Sequence, residues 1–357
     1  MRRKGSQIIW ETLVREGVEV VFGYPGGAIL PAYDAMLDYP VRHVLVRHEQ
    51  GAAHMADGYA RATGKVGVAM ATSGPGATNL VTGIATAMMD SSPMVCITGQ
   101  VPGAAIGSDA FQETDVTGVT LPITKHNYLV TDPEELESAL REAFYIARSG
   151  RPGPVLVDVT KDAQQTEIEW SPSLEPVRMP GYRPDLSAPA SEFERAVQMI
   201  DEAERPVILG GHGITMSGAM DTVQTFVEKA NIPVGMTLLG LGGFPIDHPL
   251  NQGMMGMHGE SWVNQAIQEA DLLIALGMRF DDRVTGNLKT YARNARKIHI
   301  DIDPTEINKN VRVDVGIVGD LKATLERLTP MVQPRPRTEW LSRLSDLRGE
   351  ASVRDIQ

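Results

Sequence analysis

Short apolar runs, each followed by a stretch with helical spacing, recur along this chain, and that alternation limits the fold more than any other feature. A chain that repeats strand and helix in this way builds a mostly parallel sheet covered by helices on both faces. In the first part, strands are expected near 18–23, 42–47, 66–71, 94–98 and 154–159. Helices are expected near 5–16, 28–38, 50–63, 77–89 and 133–148, the last opened by the acid-rich "TDPEEL", which suits the positive end of a helix dipole. Between 163 and 189 the pattern dissolves, because Pro172, Pro176, Pro180, Pro184 and Pro189 interrupt every possible element, and the stretch reads as an extended linker. A second series follows, with strands at 205–210, 232–237, 271–277 and 297–303 and helices near 191–203, 218–230, 260–269 and 319–329. The expected fold class is α/β: two consecutive doubly wound, mostly parallel sheet domains at 1–162 and 190–330. Residues 331–357 are polar and helical and read as the start of a further linker.

The 357 residues are enough for two domains with real cores. The net charge of −12 argues against a nucleic-acid or anionic-membrane surface, since neutralising phosphates takes clustered Lys and Arg. No apolar run approaches the roughly 20 residues of a membrane-spanning helix. The start, "MRRKGSQIIW", is basic but has no apolar core or cleavage site of a secretory signal, so a cytoplasmic location is expected. The single cysteine, Cys96, sits in "PMVCITG" without a CxxC partner and reads as a buried strand thiol.

Ligands of open α/β sheets bind outside the carboxyl ends of strands. Three glycine-bearing turns fall there in the first domain: "GYPGGAI" (23–29), "RHEQGAA" (47–53) and "TSGPGATN" (72–79). Glycine admits close backbone approach and positive φ, and the helix amides that follow can meet polar ligand groups. Tight strand-to-helix turns also use Gly and Pro for structure alone, so each turn is weak by itself; three at one sheet edge carry more weight. Glu49 lies in the second turn, after the apolar 41–46 run and before a helix with Ala52, Met55, Ala56 and Tyr59 on one face. From the residues alone, two readings of Glu49 stand side by side: a first-turn acid favoured by the helix dipole, or a functional carboxyl.

Several familiar motifs fail. "GGHG" at 210–213 follows a strand, yet Met216 stands where GxGxxG needs its last glycine, and no acid follows at the usual distance; an ordinary nicotinamide dehydrogenase is disfavoured. No GxxxxGK[ST] occurs, since "ATGKVG" lacks the spacing and the hydroxyl residue. His48-Glu49 does not continue to HExxH, because Ala52 occupies the second histidine position.

The strings "VFGYPGGAILPAYDA", "RHEQGAAHMADGYAR", "TSGPGATNLVTGIA", "ITGQVP", "IGSDAFQE", "ITKHNYLV", "SGRPGPVLVDVTKD", "GMMGMHG", "RFDDRVTGN" and "HIDIDPTEI" run in order over nearly the whole chain. Together they resemble the catalytic subunit of the acetolactate synthase (acetohydroxyacid synthase) family, which are thiamine-diphosphate enzymes. The resemblance implies that 1–162 is the domain holding the cofactor's aminopyrimidine and that 190–330 is a central FAD-binding domain. It also implies a third domain, carrying a "GDG…N" element for Mg2+ and the diphosphate; no such element follows residue 330, and no metal ligand is assigned here.

The resemblance gives Glu49 a role. A carboxyl that hydrogen-bonds the far nitrogen of the aminopyrimidine favours the imino tautomer, which collects the proton of the reacting thiazolium carbon. Packing among Val46, Ala52, Ala53 and Met55 would disfavour the charged form of such a carboxyl and suit it to sharing a proton. By the same resemblance Pro25, Gly26 and Gly27 form the loop over the reacting carbons, and Pro75 and Asn79 are pyrimidine-side contacts. Phe111, Gln112 and Lys161 line the substrate approach, where Lys161 could attract a pyruvate carboxylate; read by itself it is a solvated lysine. For FAD the resemblance points to Arg151, Gly210, Gly211, Gly213, Thr237, Leu238, Met257, His258, Gly259, Gly277, Arg279, Asp281, Arg283, Asp301, Ile302 and Asp320. Met278 departs from the family's usual alanine. Taken alone, Met254, Met255 and Met257 would read as core filler and His258 as a satisfied core histidine.

The implied reaction is decarboxylation of pyruvate and ligation to a second 2-keto acid, pyruvate or 2-ketobutyrate. The products are acetolactate or acetohydroxybutyrate, in branched-chain amino-acid synthesis. The implied partners are a second copy (homodimer or homotetramer) and a small regulatory subunit, with no nucleic acid and no membrane. Rival readings are another thiamine-diphosphate enzyme, such as a pyruvate oxidase or glyoxylate carboligase, and an inert FAD-binding assembly fragment. The family's active site lies between two subunits and needs the diphosphate half, so the 357 residues alone are expected to be inactive.

Overall fold

The computed structural model describes residues 1–184 and 186–354, with side chains through Gly349. The chain forms two compact units, Met1–Pro184 and Asp185–Gln357.

The first unit is built on a six-stranded sheet of β2 (Val20–Gly23), β3 (Arg42–Leu45), β4 (Gly67–Ala71), β5 (Met94–Gln100), β6 (His126–Val130) and β7 (Pro154–Thr160). β1 (Arg2–Lys4) and β8 (Glu167–Glu169) form a separate antiparallel pair. The large sheet is parallel throughout, in the order β3-β2-β4-β5-β7-β6. Alternate residues of its strands point to opposite faces. Val95, Ile97, Val155, Val157 and Val159 meet helices 5–15, 30–35 and 136–148 on one face. Ala69, Ala71, Cys96 and Leu156 meet helices 49–63, 81–90 and 116–120 on the other. Burial pushes the Cys96 thiol up to about 12, so it is an inert strand thiol as expected.

The second unit repeats the scheme with β9 (Pro206–Gly210), β10 (Val234–Met236), β11 (Asn251–Met254), β12 (Leu272–Leu276), β13 (Arg296–Asp301) and β14 (Val315–Val318). All pairs are again parallel, in the order β11-β10-β9-β12-β13-β14. Ile208, Ile274, Ile298 and Ile317 face one apolar layer, and Val207, Leu209, Leu273 and Ala275 face the other. The expected α/β class with two doubly wound, parallel sheets is therefore what the chain forms. Both sheets contain a strand order that reverses, at β2/β4 and at β9/β12, and this is where such folds open a crevice for ligands.

The sequence reading missed β6, β11 and β14. All three are sheet edges, where one side is open and no continuous apolar run is needed; β6, "HNYLV", is only partly buried. Two expected linkers also differ from what forms. In 163–189, β8 pairs with β1, Trp170 is buried, and Met179 and Tyr182 pack on the first unit's core. β8 lies before the first of the prolines, and from Pro172 on they bar regular helix and strand but not apolar packing.

Beyond 330 the expected helical character is borne out by the helix Thr338–Arg354, but its Trp340, Leu344 and Leu347 lie in the second unit's core instead of in a linker. Its entrance is fixed by Arg337, which is 8 % exposed and donates to the carbonyls of Ile200 at 3.0 Å and Ala230 at 3.2 Å and to that of Ala203. These are last-turn carbonyls of helices 190–202 and 220–230, or adjoin them, and would otherwise be buried without donors. Replacing Arg337 with Met should lower the urea-unfolding free energy by about 2 kcal/mol, the worth of charge-assisted bonds in a buried place. An unchanged urea midpoint would show that those carbonyls find other donors.

Candidate active site

In the first unit, the turns after β2, β3 and β4 meet at the carboxyl edge around the reversal in strand order. Thr72, buried at the end of β4, ties two of them: its Oγ1 accepts from the Ala28 amide at 3.2 Å. Its side chain fills the space where a Cβ on Gly26 (2.5 Å) or Gly76 (2.7 Å) would stand, so both glycines are required for the approach. Gln164, fully buried on the helix after β7, donates to the carbonyls of Ala28 at 2.9 Å and Val159 at 3.0 Å, pinning the Gly26-Gly27 turn from below.

Glu49 begins helix 49–63, with His48 as its cap: His48 Nδ1 accepts from the Gln50 amide at 3.1 Å. The Glu49 carboxyl is half-buried. Its Oε2 accepts from Asn79 Nδ2 at 2.9 Å, while Oε1 lies 3.3 Å from where a Gly76 Cβ would stand. Of the expected apolar surround, Val46, Ala52 and Ala53 are buried, but Met55 is 46 % exposed and leaves one side open. The phenol of Tyr33, whose Oη is 3.4 Å from the Met70 carbonyl, is held well above its ordinary titration range, by burial first and by the Glu49 charge second.

Pro25, Gly26 and Gly27 sit on the turn beside Thr72; Gly27 has open space where a side chain would be, and Pro75 is exposed. The loop 107–115 approaches the same turns. Gln112 takes a left-handed backbone conformation, φ 59°, and its carbonyl lies 2.6 Å from where a Gly74 Cβ would be. Glu113 shapes this loop by accepting from the Gly107 and Ala110 amides, bonds that hold its carboxyl below the usual range. Phe111, at the tip, is 88 % exposed. Lys161 follows β7 at the same edge, partly buried, two strands away from β4. Glu49, Asn79, Pro75, Gly26 and Gly27 are thus gathered, with Gln112 alongside.

The remaining expected residues do not join them. Arg151 precedes β7, at the opposite edge of the sheet, where its Nε donates to Ser91 Oγ at 2.8 Å.

In the second unit, every other residue expected at FAD ends or follows a strand at one carboxyl edge. Gly211 and Gly213 follow β9 and press on Gly277 after β12: a Cβ at Gly211 would fall 2.3 Å from the Gly277 carbonyl oxygen. A Cβ at Gly210 would fall 2.6 Å from Met236 Sδ. These glycines therefore serve close packing at the strand-order reversal. Met278 is buried, and its carbonyl is 2.9 Å from Nε2 of the buried His299. Thr237 Oγ1 accepts from the Gly240 amide at 3.0 Å, and Leu238 beside it is exposed. Met257 and His258 are exposed, so the alternative of core residues does not hold for them; of the three methionines only Met255 is core. Gly259 packs on the backbone of Met254 and Met255.

Asp281 caps helix 282–285 and lies 3.6 Å from Arg279; Arg283 Nη1 is 3.4 Å from Met257 Sδ. Asp301 is buried and accepts from the Asp303 amide, Ile302 is half-buried, and Asp320 caps helix 321–328 through the Ala323 amide at 2.9 Å. No group of three or more His, Cys, Asp or Glu that could hold a metal ion occurs among the described residues. None of their helices is long and apolar enough to cross a membrane.

Thr72, Gln164 and Glu113 were not singled out from the sequence. Thr72 and Glu113 stand inside quoted strings, but their partners lie 44 residues away or across a loop, and no spacing rule reaches them.

Two sheets whose carboxyl edges carry these turns correspond to known domain families. Residues 3–119 match the thiamine pyrophosphate enzyme N-terminal TPP-binding domain, and residues 193–328 match the thiamine pyrophosphate enzyme central domain. The chain belongs to the thiamine pyrophosphate enzyme family. Within it, the chain is similar to acetolactate synthase large subunits: 52 % identical over 350 residues to a probable one from Methanocaldococcus jannaschii, covering 97 % of this chain and 59 % of that protein. It is 50 % identical over 355 residues to that of Corynebacterium glutamicum (97 % and 56 %). With that of Parasynechococcus marenigrum it shares 51 % over 351 residues (96 % and 57 %). The chain thus spans a little over half the length of the relatives it matches.

Proposed function

We propose that this chain is part of an acetolactate synthase large subunit, which decarboxylates pyruvate and joins the two-carbon unit to a second 2-keto acid. Pyruvate as acceptor gives 2-acetolactate, and 2-ketobutyrate gives 2-aceto-2-hydroxybutyrate, in branched-chain amino-acid synthesis. The observation that carries this reading is the Glu49 carboxyl, oriented by Asn79 among three glycine-bearing turns, in a chain about half identical to such subunits.

The first unit suits an aminopyrimidine. Glycine at 76 lets Thr72 pack against the turn beside Glu49 Oε1, and glycine at 27 opens onto free space. Thiamine diphosphate, when bound, supplies the nucleophilic carbon and the electron sink. Glu49 holds and returns a proton at Oε1, because Oε2 is engaged by Asn79. Val46, Ala52 and Ala53 keep water from the buried side of that carboxyl. Pro25, Gly26 and Gly27, fixed by Thr72 and Gln164, form a wall over the reacting atoms. Gln112, Phe111 and Lys161 border the substrate's approach, with Lys161 as the positive charge for a carboxylate.

FAD would lie along the second unit's carboxyl edge. There Leu238, Met257 and His258 are exposed, and Arg279 and Arg283 bring positive charge for its diphosphate. Arg151 is a further contact in this proposal. Magnesium finds no ligand cluster among the described residues, and its ligands are assigned to a diphosphate-binding domain of the whole protein. The proposal extends to assembly as a homodimer or homotetramer, a small regulatory subunit and a cytoplasmic location.

The test combines the 357-residue chain with the C-terminal part of a relative, FAD, thiamine diphosphate, magnesium and pyruvate. Acetolactate is read as acetoin after acid decarboxylation. Product is expected from the combination and not from the chain alone. A combination that binds thiamine diphosphate yet yields acetate, or no acetoin, would overturn the reading.

A further inference from the structure

Between β5 and β7 the first unit buries a carboxyl apart from Glu49. Asp158 is 1 % exposed, in the middle of β7, on the face shared with Cys96 and Leu156. Its Oδ1 accepts from Thr98 Oγ1 at 2.7 Å and its Oδ2 from Gln100 Nε2 at 2.8 Å. The Gln100 amide is used completely. Its Oε1 accepts from the Val101 amide at 2.9 Å, which fixes the flip, so both Nε2 hydrogens point away from that side. One goes to Asp158 and the other to the Thr114 carbonyl at 2.9 Å. Thr114 ends the loop that presents Phe111 and Gln112, and its carbonyl also accepts from the Val116 amide at 2.9 Å. That loop carries left-handed backbone at Asp109 (φ 55°) and Gln112 (φ 59°), so it needs holding contacts to stay in shape.

We propose that Asp158 is a positioning residue for the 107–115 loop, acting through the Gln100 side chain on the Thr114 carbonyl. The carboxylate turns the Gln100 amide so that its second hydrogen meets Thr114. Thr114 in turn sets where the Gln112 backbone lies against Gly74, one turn from the Asn79–Glu49 pair. The catalytic consequence rests on the function proposed above; the effect on the loop does not.

The test measures hydrogen exchange by mass spectrometry on the 357-residue chain and three variants. Asp158→Ala and Gln100→Met should speed exchange in peptides covering 105–119 by about tenfold, with peptides covering 81–97 unchanged. Asp158→Asn should stay near wild type, since its carbonyl can accept from Gln100 while its NH2 donates to Thr98. Equal acceleration in both regions, no acceleration in 105–119, or an Asp158→Asn result like that of Asp158→Ala would each overturn the proposal. In the enzyme complemented as above, Gln100→Met should raise KM for pyruvate by more than it lowers kcat. Normal loop protection in that variant together with a raised KM would also overturn it. A wild-type assembly without acetolactate activity would sink the functional reading while leaving the exchange result to decide this one.

Discussion

Exchanging Glu49 for glutamine in the complemented enzyme is expected to lower acetolactate formation by about a hundredfold or more, the range typical of a lost acid–base group. Glutamine keeps the shape and can still accept from Asn79 Nδ2, the contact that Glu49 makes at 2.9 Å. What it lacks is a site that gains and loses a proton at Oε1. The two readings of Glu49 separate here. As a first-turn acid it contributes about 0.3–1 kcal/mol through the helix dipole, so its loss would shift the melting temperature slightly and leave turnover alone. As the functional carboxyl it leaves melting nearly unchanged and removes turnover. Full-speed carbon–carbon bond formation by Glu49→Gln would end the proposed assignment.

Replacing Asp158 with asparagine should make the first unit more stable above neutral pH and leave it unchanged in acid. Burial raises the Asp158 carboxyl to about 6 from 3.8, with the nearby charge of Asp115 adding to it and the bonds from Thr98 and Gln100 opposing. A folded value above the unfolded one means that the folded chain holds the proton more tightly. The native state therefore has its full share of stability below about pH 4 and loses it as pH rises through about 6. The difference of about two pH units corresponds to about 3 kcal/mol at pH 8. Urea unfolding followed from pH 4 to pH 8 should show the gap between Asp158→Asn and wild type opening over that window. A gap that does not vary with pH would mean that the carboxyl titrates alike in the folded and unfolded chain, so that burial costs its charge nothing. The exchange experiment described above asks what the same carboxyl does for the loop, and asparagine answers both questions because it keeps the acceptor and drops the charge.

Most of the central strands were legible because they are buried on both sides and must be apolar without interruption, as in 94–98 and 271–277. In the two large sheets the strands that escaped are the edges β6, β11 and β14, where exposure frees the composition. The helix at Thr338–Arg354 was legible as a helix and not as core, because the buried Trp340, Leu344 and Leu347 stand among mostly polar residues. Within the candidate site, Glu49 and Asn79 stood out through the strings they occupy. Thr72, Gln100, Asp158 and Gln164 did not, since each acts on a partner tens of residues away or through a neighbouring strand.

The order of strands and helices, the glycine-bearing turns and the family were determined by the amino-acid sequence itself, because periodicity and turn chemistry are local. Which turns share an edge, which oxygen of Glu49 stays available, and why Gly211 must face Gly277 were decided only when strands separated along the chain lay side by side. Parallel sheets connect distant segments, so a hydrogen bond such as Gln164 to Ala28, across 136 residues, has no trace in local pattern.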